Sequence, residues 1–153
     1  MSEILRSVIG RTVAEAIRKT ISPKNDSDVW ARGYSRSVSV LIFTINVDGT
    51  QKRQVSTGDG MHVCPAWSFD GKRIAYQALS RDKVSGKSDA IIRLVNADGS
   101  GDVAVGTHLR PSLDEMPSWL PDGKRLAIQS NRDGTMRIYL IDLNGEELRR
   151  VVP

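Results

Sequence analysis

His62 and Cys64 set an imidazole and a thiol two residues apart, a spacing that puts both side chains on one side of an extended strand. Such a pair could begin a zinc site, which needs three or four ligands with paired spacings. His108 is the only other imidazole and Cys64 the only cysteine, so the ligand set is short and no metal is predicted. A small, buried, apolar role suits Cys64 better. The turns Asn46-Val47-Asp48-Gly49, Asn96-Ala97-Asp98-Gly99 and Asp142-Leu143-Asn144-Gly145 resemble the opening of a calcium loop, but they lack its later acidic ligands and closing glutamate. Asp or Asn before Gly is what a tight hairpin demands, because the turn needs positive φ. Nucleophilic catalysis would need a base beside Ser or Cys, oriented by a third group. Neither histidine sits in a recognisable motif of that kind. Asp114 and Glu115 are adjacent and point to opposite sides of an extended segment, which is poor geometry for an acid and base pair. The expectation is a chain with no catalytic residues and no cofactor, hence not an enzyme.

These residues hang on short elements joined by turns. Residues 3–21 read as an amphipathic helix. Ile4, Leu5, Val8, Ile9, Val13, Ala16, Ile17 and Ile21 recur at spacings of three and four, with Arg6, Arg11, Glu15, Arg18 and Lys19 opposite. Ser2 can cap its start and Ser22-Pro23 stops it. After that the chain turns into short β-rich runs between Asp-Gly, Asn-Gly and Gly-Ser turns.

Those runs repeat. Eight of the thirteen residues in Pro65–Gln77 recur 52 positions later, in Pro117–Gln129. Repeats of this length built from strands and Asp-Gly turns are the signature of propeller blades. One unit covers 62–108, with strands expected at 64–68, 72–79, 89–96 and 102–107. Another covers 115–153, with strands at 116–120, 124–130, 136–142 and 146–152. A third, at 26–58, follows from setting Asp48-Gly49 against Asn144-Gly145. Its second strand falls at 28–35, and its first is missing because the helix stands in its place.

Composition narrows the partners. The 22 basic and 18 acidic residues give a net charge of +4, but the basic residues are scattered, whereas nucleic-acid binding needs them clustered on one face. No nucleic acid is expected. No apolar run reaches the length of a secretory signal core or a membrane span. With a lone cysteine, that predicts a cytoplasmic protein without a membrane partner.

The pattern Pro-Ala-Trp-Ser-x-Asp-Gly-Lys-Arg-Ile-Ala at 65–75, followed by Asn96-Ala97-Asp98-Gly99-Ser100, resembles the repeat of TolB-type β-propellers. The resemblance runs over residues 26–153. Phe69 departs from the proline usual at that turn, which Pro121 keeps. It implies an all-β, six-bladed ring used mainly to bind other proteins and sometimes to gate an enzyme domain. The namesake of the family is periplasmic. In such repeats the loops entering each first strand sit at one mouth of the central channel. Here they hold Asp59, Met61 and His62 in one unit and Arg110, Asp114 and Glu115 in the next. Asp59, His62, Arg110, Asp114 and Glu115 are therefore the ligand-binding candidates. Arg81, Asp82, Lys83 and Lys87 form a second patch.

Propellers close with about four to eight blades, and residues 26–153 supply three at about 40–45 residues each. The expected assembly is a homodimer in which two copies complete one six-bladed ring. The function expected is a non-catalytic scaffold for a protein, peptide or small ligand. Two other readings are an accessory subunit docking through its N-terminal helix and, more remotely, an enzyme with its site at the ring mouth.

Overall fold

A computed structural model of the chain describes residues 5–9, 12–20, 38–58, 60–81, 88–106 and 112–151. Every regular element among them is a strand. β1 (Leu5–Ile9), β2 (Thr12–Thr20), β3 (Val38–Asn46) and β4 (Arg53–Gln54) pair in sequence as an antiparallel meander. β5 (Met61–Trp67), β6 (Arg73–Arg81), β7 (Ser88–Asn96) and β8 (Val103–Ala104) form a second. β9 (Asp114–Trp119), β10 (Arg125–Ser130), β11 (Arg137–Asp142) and β12 (Glu147–Arg150) form a third. One parallel bridge, Val40 to Met61, joins the first meander to the second.

The helix expected over residues 3–21 is not found among the described residues. Its place is taken by β1 and β2, with Gly10-Arg11 between them and Ile9 paired to Thr12. The same residues satisfy both patterns, and the tertiary setting decides between them. Val8, Ile9, Val13 and Ile17 are β-branched, which suits a pleated surface. β3 also offers a full strand edge, and β2 pairs with it along nine residues, from Thr12 with Asn46 to Thr20 with Val38. That ladder satisfies backbone groups on both strands. The expectation that the upstream unit lacks its first strand falls with the helix, because β1 and β2 complete it. The second strand expected at 28–35 lies outside the described residues, and β2 holds the position beside β3.

The Asp-Gly turns form as their residue types require. Asp70 Oδ1 accepts the Lys72 amide at 3.1 Å and Asp122 Oδ1 that of Lys124 at 2.8 Å, while Gly71 and Gly123 take φ of 67° and 65°. Each of β5 and β9 carries one left-handed non-glycine residue, Cys64 at φ 52° and Met116 at φ 50°, again 52 positions apart. The pairing register slips at both places. A bulge repeated at one site of two meanders is a built feature that redirects the strand.

A meander with two apolar faces must be covered on both. Trp67, Ile74, Tyr76, Ala78 and Val95 of the second meander pack against Val40, Ile42 and Val55 of the first. Its other face, with Ala75, Ile92, Leu94 and Val105, packs against Trp119, Leu126, Ile128, Tyr139 and Ile141 of the third. The core is thus two layers between three sheets, with a tryptophan in each.

Candidate functional site

The strands entering the second and third meanders start at one end of the stack. Gly60 accepts the Val40 amide at 3.0 Å beside the start of β3. Ser112 accepts the Ala90 amide at 3.0 Å beside the start of β7, and Asn131 Oδ1 accepts the Leu113 amide at 2.8 Å. Of the five candidates, His62, Asp114 and Glu115 are placed at this end. Asp59 and Arg110 lie outside the described residues, as do His108 and residues 82–87 of the second patch.

His62 is only 4 % exposed. Its Nδ1 lies 2.9 Å from Ser56 Oγ, which also accepts the Ile42 amide at 2.9 Å. Its ring sits 5.2 Å from that of Tyr76, tilted by 48°. Burial pulls the imidazole pKa below its usual value, and the Arg93 charge adds to this against the opposing pull of Asp102. The neighbouring polar groups form one network. Tyr76 donates its hydroxyl to Asp102 at 2.7 Å, Arg93 Nε donates at 2.9 Å, and Thr57 donates both its amide and its hydroxyl at 2.9 Å. Burial pushes the Asp102 carboxyl up, but the hydrogen bonds from Tyr76, Thr57 and Arg93 outweigh it and leave it below the usual range. Burial, and then Asp102, push the Tyr76 phenol up. Ser56 and Thr57 follow β4, whereas Tyr76, Arg93 and Asp102 belong to the second meander, so the network pins the two sheets together.

Asp114 is the 52-residue counterpart of His62 and is equally buried, at 4 %. It accepts Ser130 Oγ in a short hydrogen bond and Arg132 Nη2 at 3.1 Å. The Arg132 guanidinium in turn lies 5.1 Å from the Tyr139 ring. Glu115 is half-buried and accepts Gln77 Nε2 at 3.2 Å. Burial, assisted by Glu115, pushes the Cys64 thiol up, which keeps it protonated and poorly nucleophilic. The two buried candidates therefore spend their polar groups inside the fold, and Glu115 is the described candidate with surface to offer. Among the described residues no cluster of three or more His, Cys, Asp or Glu could hold a metal ion.

A second site was not visible in the residue pattern. Thr44, Asn46, Gln51, Arg53, Trp67 and Gly71 line a cleft of about 220 Å³ between the first two meanders, at their turn end. Trp67 is 7 % exposed, and its indole N–H has no hydrogen-bond partner among the described residues. The matching Trp119 N–H donates to the Ala66 carbonyl at 3.0 Å.

The signature of the TolB beta propeller domain matches residues 28–153. The chain belongs to the TolB β-propeller family. Among TolB-type relatives, the Tol-Pal system protein TolB of Desulfosudis oleivorans is 26 % identical over 110 residues, which cover 72 % of this chain and 23 % of the relative. Dipeptidyl-peptidase 5 of Porphyromonas gingivalis is 34 % identical over 112 residues, covering 65 % of this chain and 16 % of the peptidase. This chain thus spans less than a quarter of either relative. Among solved structures, that of a putative TolB from Agrobacterium tumefaciens superposes with a TM-score of 0.64 at 21 % identity, over 92 % of this chain and 42 % of that one. A puromycin-hydrolysing peptidase from Mycobacterium tuberculosis gives a TM-score of 0.71 at 19 % identity, over 98 % of this chain and 23 % of the peptidase. These likenesses extend the TolB-type fold to this chain.

Proposed function

We propose that this chain is a non-catalytic, cytoplasmic binding scaffold: half of a six-bladed TolB-type ring, completed by a second copy, whose mouth engages a protein or peptide. One comparison carries the reading. In the third strand of each meander the same alternate positions face the next sheet. In β3 they are Val40, Ile42 and Thr44, and in β7 they are Ala90, Ile92 and Leu94, all at most 9 % exposed. In the third meander they are Met136, Ile138 and Leu140, where Met136 and Ile138 are 42 % and 41 % exposed. The third sheet offers the surface that its predecessors bury, so another sheet of the same kind fits over it. Phe43 and Ile45, partly buried on the opposite side of β3, supply a receiving face at the other end of the stack. Head-to-tail contact of two copies about a two-fold axis uses both.

The relatives support the binding role in a general way, since the family includes Tol-Pal system proteins as well as peptidases. Solution mass tests the assembly. Twice 16.9 kDa is expected, and a stable single-copy species would refute it. The catalytic side is tested with dipeptidyl chromogenic substrates, for which turnover indistinguishable from buffer is expected. Turnover that follows the purified chain would defeat the scaffold reading.

A further inference from the structure

The two tryptophans of the repeat occupy matching places with unlike company. Around Trp119, the Ala66 carbonyl accepts the indole N–H at 3.0 Å. The Arg73 guanidinium lies 4.9 Å from the ring centroid, and its Nη2 donates to the Gly123 carbonyl at 2.9 Å. A backbone carbonyl, a guanidinium on the ring face and a turn glycine thus complete the site. Of these three groups, the described residues around Trp67 supply the turn glycine alone, as Gly71, the counterpart of Gly123. The N–H has no partner among the described residues although the residue is more than nine-tenths buried, an arrangement that leaves a strong donor unsatisfied.

Pairing registers show why the guanidinium is missing. Arg73 stands opposite Asn96, the last residue of β7. The corresponding place in the first meander, opposite Asn46 at the end of β3, belongs to Thr12. Threonine carries no cation, so this register position brings no counterpart of the Arg73 guanidinium to Trp67. The resulting cleft, about 220 Å³, is smaller than the pockets that hold drug-sized ligands and suits a single side chain. Arg53, which is exposed to solvent, stands at its rim. It donates to the Asp98 carbonyl at 3.4 Å, and its charge helps to hold the Asp98 carboxyl, bonded first to Ser100, below the usual range.

We propose that this cleft binds an arginine-bearing peptide segment of another protein. The segment's carbonyl accepts the Trp67 N–H, and its guanidinium stacks on the indole and donates toward Gly71, as Arg73 does beside Trp119. The site lies within one chain and does not depend on how the ring closes.

The test is nitrogen-15 NMR of the indole N–H groups of the full chain, titrated with acetyl-Gly-Arg-Gly-amide. The Trp67 signal is assigned with Trp67→Phe or, should that variant not fold, by elimination with Trp30→Phe and Trp119→Phe. The Trp67 signal should move saturably while that of Trp119 stays in place. The citrulline peptide, isosteric but uncharged, should bind about tenfold more weakly. Thr12→Arg, which supplies the guanidinium from within, should abolish the titration. Failure of the Trp67 signal to move at millimolar peptide, equal binding of the citrulline form, or unimpaired binding by Thr12→Arg would each overturn the proposal. A titration that appears only in Arg11→Ala would also overturn it, by showing that the chain's own arginine is the occupant.

Discussion

At the scale of single residues, this fold spends its polar groups on holding sheets together. His62 and Asp114 occupy one position of the repeat and are buried alike, but each meets partners of its own. The environment of His62 favours its neutral form, because burial and Arg93 together outweigh Asp102. A folded-state pKa held below the unfolded value of 6.5 means that the unfolded chain binds the proton first as pH falls. Stability contributed by neutral His62 is therefore complete above pH 6.5 and is lost as the pH falls from there through the lowered folded-state value. The melting temperature should drop between roughly pH 7.5 and pH 5.5, and His62→Gln should flatten that dependence. An unchanged slope in the variant would place the titrating group elsewhere. The turn residues were legible from sequence, because an Asx-Gly turn is decided within four residues. Asp48 and Asp98 accept the amides of Thr50 and Ser100, as turn chemistry requires. The role of Asp114 was not legible, since its partner Ser130 lies sixteen residues away. The isolation of the Trp67 N–H was hidden for the same reason.

At the scale of elements, the N-terminal segment shows where periodicity misleads. Ile4, Leu5, Val8 and Ile9 satisfy a helical stripe, yet strand pairing is settled by a partner edge that no local window contains. The repeat from residue 62 onward was legible because two copies could be compared. Of the first meander only the last two strands were, since its first two share little with the copy pattern. The join between the second and third meanders has a tighter requirement. Gly145, at φ 85°, sits against Gly106, and a Cβ built on Gly145 would collide with the Gly106 backbone. Gly145→Ala should therefore cost about 3 kcal/mol, from left-handed strain together with the clash. In a chain of this length that lowers the melting temperature by about 10 °C, which calorimetry would detect. A neutral result would mean that the two sheets separate at that end.

At the scale of the whole molecule, the uncovered third sheet dominates. If two copies close the ring as proposed, Ile138→Asp combined with Leu140→Asp should leave the chain a monomer and remove any rise of melting temperature with protein concentration, both readable by light scattering and thermal scans. A double variant that remains dimeric would move the contact to another face. TolB-type architecture was legible from the chain because its blade motif is short and occurs twice. The number of copies in a ring was only an arithmetic expectation, since closure is a property of surfaces that meet across molecules.

The alternation along the third strands has a consequence for how such chains can change length. Each sheet passes on the same kind of surface that it receives: Trp67 and Trp119, Ile74 and Leu126, and Gly99 and Gly145 fill like places on successive layers. A tandem copy of residues 62–113 would therefore lengthen the stack by one layer while leaving both end surfaces as they were. Growth by whole modules costs such a molecule no new chemistry at its joints, whereas an insertion of half a module would set apolar residues against solvent along its full width.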